Sequence, residues 1–182
     1  MGLYTYEDNS TLRGIIHWVV DIIVVISFAW FIVFSFLNST IINGHSMSPT
    51  LEADDMCLVN RLSYDLGNPK RFDIVLFERN DTNKTNVKRV IGLPGETVQI
   101  ISGAIYINGE KISDDSLGNI SLPGIAENPV ELQSDEYFLL GDNADSSEDS
   151  RFSNIGNVKR DKIIGKIWFR LKPFKSIGII KQ

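Results

Sequence analysis

A single cysteine, Cys57, excludes an internal disulfide and leaves no second thiol for a zinc site. Lying in the apolar run 56–59, it reads as a buried small hydrophobe, which leaves the redox compartment open. Histidine is almost as scarce, with only His17 and His45. His17 falls in a hydrophobic run. His45 adjoins Ser46, and neighbouring side chains of an extended segment point to opposite faces, so a serine–histidine–aspartate arrangement is disfavoured. Positive charge is in short supply too: 18 Lys and Arg stand against 23 Asp and Glu, for a net charge of -5. That balance, scattered along the chain, excludes a nucleic-acid partner. Internal repeats and low-complexity linkers are lacking, and past residue 43 no run carries the 3.6-residue apolar period of an amphipathic helix.

What the chain does have is one long hydrophobic run. Residues 14–37 are almost wholly apolar, interrupted by His17, Asp21, Ser27 and Ser35. About 20 residues cross ~30 Å of hydrocarbon, so the length fits a transmembrane helix. The run is too long and too aromatic for a cleaved signal, and no A-x-A site follows it, so it is expected to remain as an anchor in the lipid bilayer. Two registers compete: residues 14–37, which bury Asp21, or a span extending to about residue 42, which admits Asn38, Ser39 and Thr40. A carboxylate near mid-bilayer costs ~2.5–3.5 kcal/mol, more than Asn, Ser or Thr, and this favours a compromise with Asp21 near the interface. His17 and Asp21 lie four apart on one helical face and read as an interfacial polar pair. Arg13 is the only basic residue before the run, and the next is Arg61. This bias puts residues 1–13 in the cytoplasm and the rest of the chain outside.

Beyond the run, short apolar stretches broken by Gly, Pro, Asn and Asp predict strands at 56–60, 72–77, 87–92, 97–101, 104–107, 137–140 and 163–170. Ser102-Gly103 and Asn108-Gly109 are two-residue turn signals that predict consecutive hairpins. Hydrophilic stretches at 80–86 and 114–128 read as surface loops. Asn-x-Ser/Thr triplets at Asn38, Asn80, Asn83 and Asn119 matter only in a source that glycosylates proteins. The expected fold class is mainly β: a single catalytic domain, 38–182, on one helical anchor.

Three blocks could carry chemistry. The first is Gly44-His45-Ser46-Met47-Ser48-Pro49-Thr50-Leu51, immediately after the anchor. A serine hydroxyl is a weak nucleophile that needs a positioned base. With histidine poorly placed, a lysine base remains possible if its amine is neutral. The second block, Val87-Lys88-Arg89-Val90-Ile91-Gly92-Leu93-Pro94-Gly95-Glu96, supplies one. In a strand, Lys88 shares a face with Val90 while Arg89 points to the other. A free lysine titrates near 10.4, so work near neutrality requires a fall of about three units, ~4 kcal/mol of desolvation. Chemistry alone leaves Ser46 and Ser48 both open as nucleophile. The Ser46 backbone N–H is the natural donor to a developing oxyanion, an interaction worth roughly 2.7–4 kcal/mol. The third block, 141–151, is dense in Asp and Ser. It fits no calcium-loop register, because the glycine and glutamate positions fail, so neither a metal nor any other cofactor is expected.

Taken together and in this order after one span, the blocks resemble the type I bacterial signal peptidases, membrane-bound serine proteases that use a lysine as base. The resemblance covers nearly all of the chain after residue 43. It implies a β-rich core with a smaller β insertion, reduced here to about 93–136. The Ser-Met-x-Pro-Thr-Leu pattern falls on Ser46 through Leu51, implying Ser46 as nucleophile and Lys88 as general base. Some members carry a second oxyanion donor, a hydroxyl two residues before the nucleophile; this chain has Gly44 there, so a backbone amide or water must substitute. The third pattern matches Gly141, Asp142, Asn143, Ser147, Asp149, Ser150 and Arg151. It implies that the Ser147 hydroxyl orients the Lys88 amine and that Asp149 and Arg151 form a supporting ion pair, with Asp142 and Asn143 in the same surrounding layer.

The implied reaction is removal of signal peptides from exported preproteins after A-x-A-like sites, beside the secretion translocon. Met47 and Leu51, apolar and next to the nucleophile, are expected to face substrate or the bilayer. Two rivals are a regulatory Ser-Lys protease that cuts itself or a repressor, disfavoured by the span, and a non-catalytic anchored β-domain that binds exported proteins.

Overall fold

The computed structural model describes residues 10–36, 38–79, 82, 84–112, 117–118 and 120–181. The sequon residues Asn80, Asn83 and Asn119, part of the N-terminal segment and parts of both hydrophilic loops lie outside the described residues.

The chain opens with helix α1, Ser10–Phe36. At about 1.5 Å per residue it is some 40 Å long, more than the ~30 Å of a bilayer core. Its stretch Arg13–Phe31 is long and apolar enough to cross a membrane and, among the described residues, is covered by no other part of the chain. Strand β1, Asn38–Ile41, follows at once. This corrects the expectation that the span might extend to about residue 42. Asn38, Ser39 and Thr40 have backbone partners in β2, Met56–Asn60, with Asn38 opposite Val59 and Ile41 opposite Met56. What holds these polar residues extended is the backbone pairing with β2, which satisfies their main-chain groups.

The remaining main strands are β3 (Ile74–Glu78), β4 (Thr85–Gly92), β5 (Thr97–Ile101), β6 (Ala104–Ile107), β7 (Glu110–Lys111), β8 (Val130–Glu131), β9 (Glu136–Leu140), β10 (Val158–Lys159), β11 (Ile163–Lys172) and β12 (Gly178–Ile179). They form an eight-stranded sheet in the order β1-β2-β11-β3-β4-β9-β10, with β12 beside β11, and a four-stranded sheet in the order β7-β6-β5-β8. The smaller sheet occupies the interval 93–136. Its two tight turns are those signalled by Ser102-Gly103 and Asn108-Gly109, all four at positive φ, the geometry that matches strand twist in two-residue hairpins. One helical turn, α2 (Leu62–Asp65), interrupts the β pattern.

Each apolar cluster supports a different part of the molecule. Ile42, Met47, Leu51, Cys57, Val59, Ile74, Leu76 and Ile167 pack under the 44–51 loop. Val75, Phe77, Val90, Tyr137, Leu139 and Val158 pack across β3, β4, β9 and β10. Cys57 is fully buried, and burial foremost, with the Asp55 carboxylate beside it, pushes its thiol up to about 11, so it behaves as a small apolar filler.

Candidate active site

The loop after β1 is held from below. Met47 and Leu51 are both fully buried in the cluster under it, and the Leu51 N–H donates to the Met47 carbonyl at 2.9 Å. This corrects the expectation that they face substrate or lipid. Two large apolar side chains four residues apart in a turn find more buried surface in the domain's own core than at a membrane surface. Asp55 and Arg170 close the far end as an ion pair, Arg170 Nε 2.9 Å from Asp55 Oδ2, and the hydrogen bond that this carboxylate oxygen accepts is from the Glu52 N–H at 3.0 Å. Gly44 sits at φ +81, a left-handed turn two residues before Ser46 that glycine adopts without strain.

Between these supports lies Ser46. Lys88 Nζ donates to Ser46 Oγ at 2.7 Å. Ser48 is accounted for elsewhere, its hydroxyl donating to Glu52 Oε2 at 2.7 Å. The structure therefore separates the two serines that chemistry alone left equal. His45 is exposed and lies 3.8 Å from Glu52.

Lys88 comes from the middle of β4, opposite Val75 of β3. Only 3% of its surface is exposed. Burial pushes its amine from 10.5 down to about 8; the carboxylates of Asp149 and Asp142 pull upward, and the guanidinium groups of Arg79 and Arg151 push further down. At pH 7 about a tenth of such amines are uncharged, against well under a thousandth for a free lysine. With its proton absent, the same 2.7 Å contact accepts the Ser46 hydroxyl proton.

The 141–151 block wraps this pair with backbone as much as with side chains. Asn143 N–H donates to the Ser46 carbonyl at 3.1 Å. Asp149 accepts the Gly141 N–H at 3.1 Å and takes Arg151 Nε and Nη2 at 2.8 and 2.9 Å. Arg151 in turn donates to the carbonyls of Leu122 at 3.0 Å and Ala144 at 2.6 Å. The Asp149–Arg151 pair is thus a fastener for the loop's main chain. Asp142 is engaged by Arg89, which donates to both its carboxylate oxygens at 2.7 Å and to the Phe72 carbonyl at 2.9 Å, with both side chains fully buried. Arg89 is the residue that sequence reading missed. The other face of β4, to which it points, is covered, and the signal was the pairing of a strand arginine with a downstream aspartate in a block already singled out.

One expectation is corrected within the block. Ser147 is 6% exposed, yet its Oγ has no hydrogen-bond partner, so the expected bond from this hydroxyl to Lys88 is not made. The hydroxyl lies instead against Gly141. A Cβ added there would sit 2.3 Å from Ser147 Oγ and 2.5 Å from the Ser46 carbonyl oxygen. Gly141→Ala is therefore expected to force the loop away from the nucleophile. It should cost about 1–3 kcal/mol of stability, as overpacking does, and lower kcat more than it raises KM. Urea unfolding beside steady-state kinetics checks both, and a variant with unchanged kcat would refute the expectation.

A hydroxyl set against a buried, partly neutral amine, on a mainly β domain beside a long apolar helix, has the make-up of a serine hydrolase that works without histidine. Residues 15–172 match the family model described as signal peptidase, peptidase S26. The chain is 36% identical to a signal peptidase I of Bacillus caldolyticus, over 88% of this chain and 91% of that one. It is 37% identical to a signal peptidase I of Leptolyngbya laminosa, over 75% and 70%. A solved signal peptidase I from Enterococcus faecalis is 31% identical and superposes with a TM-score of 0.46, covering 55% of this chain and 97% of that one. The chain belongs to the signal peptidase family, peptidase S26, and is a peptidase of that family.

Proposed function

We propose that this chain is a membrane-anchored endopeptidase that removes signal peptides from exported preproteins after A-x-A-like sites, with Ser46 as nucleophile and Lys88 as general base. The observation that carries the reading is the 2.7 Å contact between the buried Lys88 amine and the Ser46 hydroxyl. Ser46 Oγ attacks the scissile carbonyl as its proton passes to Lys88 Nζ. The resulting ammonium then gives that proton to the leaving amine. Water, deprotonated by the same amine, hydrolyses the acyl-enzyme. The Ser46 N–H, engaged by no acceptor among the described residues, is the oxyanion donor.

A cleft beside Ser46 has a mixed lining, Ile41, Ile42, Leu76 and Val87 alternating with polar Thr40 and Asn86. Among the described residues β1 is the end strand of the larger sheet. An extended peptide adding to that edge would place small alternate side chains against the apolar residues of the cleft. Helix α1 crosses the bilayer with its N-terminus in the cytoplasm, holding the site at the outer surface where preproteins leave the translocon.

The test is cleavage in trans of an A-x-A preprotein by the full chain in detergent. Ser46→Ala should lose at least about 10⁴-fold in kcat/KM, while Ser48→Ala keeps most of it. Loss in Ser48→Ala with retention in Ser46→Ala would reverse the assignment. Absence of trans cleavage by wild type would favour a self-cleaving or purely binding protein.

A further inference from the structure

The part of the larger sheet built from β1, β2, β11 and β12 packs inward through one face. Cys57, Val59, Ile167 and Ile180 belong to the cluster under the 44–51 loop. On the opposite face Leu58 stands across from Phe169, Phe169 across from Ile179, and Met56 across from Ile41. Directly opposed residues of antiparallel strands share a face, yet this apolar set joins none of the buried clusters. Ile41 is 51% exposed and Ile179 78%. The turn that joins β11 to β12 adds Phe174 and Ile177, 79% and 52% exposed. Large apolar side chains gathered at a surface in this way mark a contact site.

Charge narrows what the surface meets. Residues 163–182 hold five Lys and Arg and no Asp or Glu, in a chain whose net charge is -5. Lys166 and Arg170 are paired with Asp73 and Asp55. Lys172, Lys175 and Lys181 are exposed, beside the apolar side chains. A second copy meeting this face symmetrically would set like charges against each other, whereas anionic headgroups would neutralise them. The surface is also continuous with the anchor. α1 ends at Phe36, and β1, which carries Ile41, begins at Asn38. On the reading of α1 as a membrane span given above, we propose that the surface of Ile41, Phe174, Ile177 and Ile179 rests on the bilayer from which α1 emerges. Its apolar side chains enter among the outer acyl chains, and Lys172, Lys175 and Lys181 lie among anionic headgroups.

The test uses the full chain reconstituted in vesicles of phosphatidylcholine with phosphatidylglycerol, and of phosphatidylcholine alone. Cys57 is fully buried with its thiol pushed up to about 11, so at pH 7 an environment-sensitive fluorophore attaches to an introduced cysteine alone. Phe174→Cys and Ile179→Cys place the label on the surface, and Ile101→Cys places it on the smaller sheet as a reference. Brominated acyl chains should quench the label at 174 and 179 and leave it bright at 101. Lys172→Gln, Lys175→Gln and Lys181→Gln should each lower the ratio of lipid-bound to free label about five-fold, and omitting phosphatidylglycerol should do what the three do together. Quenching at 174 and 179 no greater than at 101 would overturn the proposal. So would emission shifted to the blue but untouched by bromine, the mark of protein covering the face. Equal quenching in the two kinds of vesicle would overturn the part given to the lysines. Extraction of the chain by alkaline carbonate would instead overturn the spanning reading of α1, on which the tether depends.

Discussion

Lys88→Met should abolish cleavage and, at the same pH, leave the protein more stable than wild type. The two effects share one cause. The amine is buried, and its titration falls from 10.5 to about 8. Between those values the unfolded chain binds a proton that the folded chain does not, so stability rises with pH across the window. Below about 8 the lysine's cost is complete; by about 10.5 it is gone. The difference of some 2.5 units corresponds to about 3 kcal/mol at neutral pH. Methionine is unbranched like lysine, one heavy atom shorter, and carries no charge. It forfeits the bond to Ser46, worth about 1 kcal/mol, so the net gain at pH 7 should be about 2 kcal/mol. Activity should drop by about 10⁴-fold or more. Urea unfolding of both proteins at pH 7 and pH 10 reads the result: the gap should narrow as pH rises. A gap that does not change with pH, or a less stable variant at pH 7, would show that the amine is not held against its preference.

The second large effect lies in the Arg89–Asp142 pair. Two bonds of 2.7 Å hold groups with no exposed surface. Taking both charges out of water is expensive, and their attraction offsets that only while both are present. Asp142→Ala leaves a buried guanidinium with only the Phe72 carbonyl, and should cost about 3–5 kcal/mol. It should also cut activity, because the neighbouring Gly141 and Asn143 lose their hold around the Ser46 carbonyl. Replacing both partners, as in Arg89→Met with Asp142→Leu, should be markedly less destabilising than the sum of the singles. Unfolding midpoints of the four proteins complete the cycle. Additive losses would mean that the pair contributes no coupling and that the arginine finds other partners.

Much of this was legible beforehand, for identifiable reasons. β2, β5 and β6 fall where apolar runs are bounded by turn residues, and the hairpins where Ser-Gly and Asn-Gly demand positive φ. That Ser46 and Lys88 lie together was expected from the resemblance of the 46–51 and 87–96 blocks to the family's patterns, and the two side chains are in fact 2.7 Å apart. β1 was not legible, since Asn38–Ile41 has no strand pattern of its own and is extended only because β2 pairs with it. The two-residue strands β7, β8, β10 and β12 carry too little sequence for any period to show. Met47 and Leu51 were assigned to the wrong environment because apolarity near a membrane span says nothing about which apolar medium a side chain enters. Arg89 was overlooked because alternation assigns a face and cannot tell whether that face is wet.

That misassignment has a practical side. Met47 and Leu51, on either side of the Ser48–Thr50 turn, are keystones of the hydrophobic cluster beneath Ser46, so the Ser46–Lys88 contact can form only once that interior has closed.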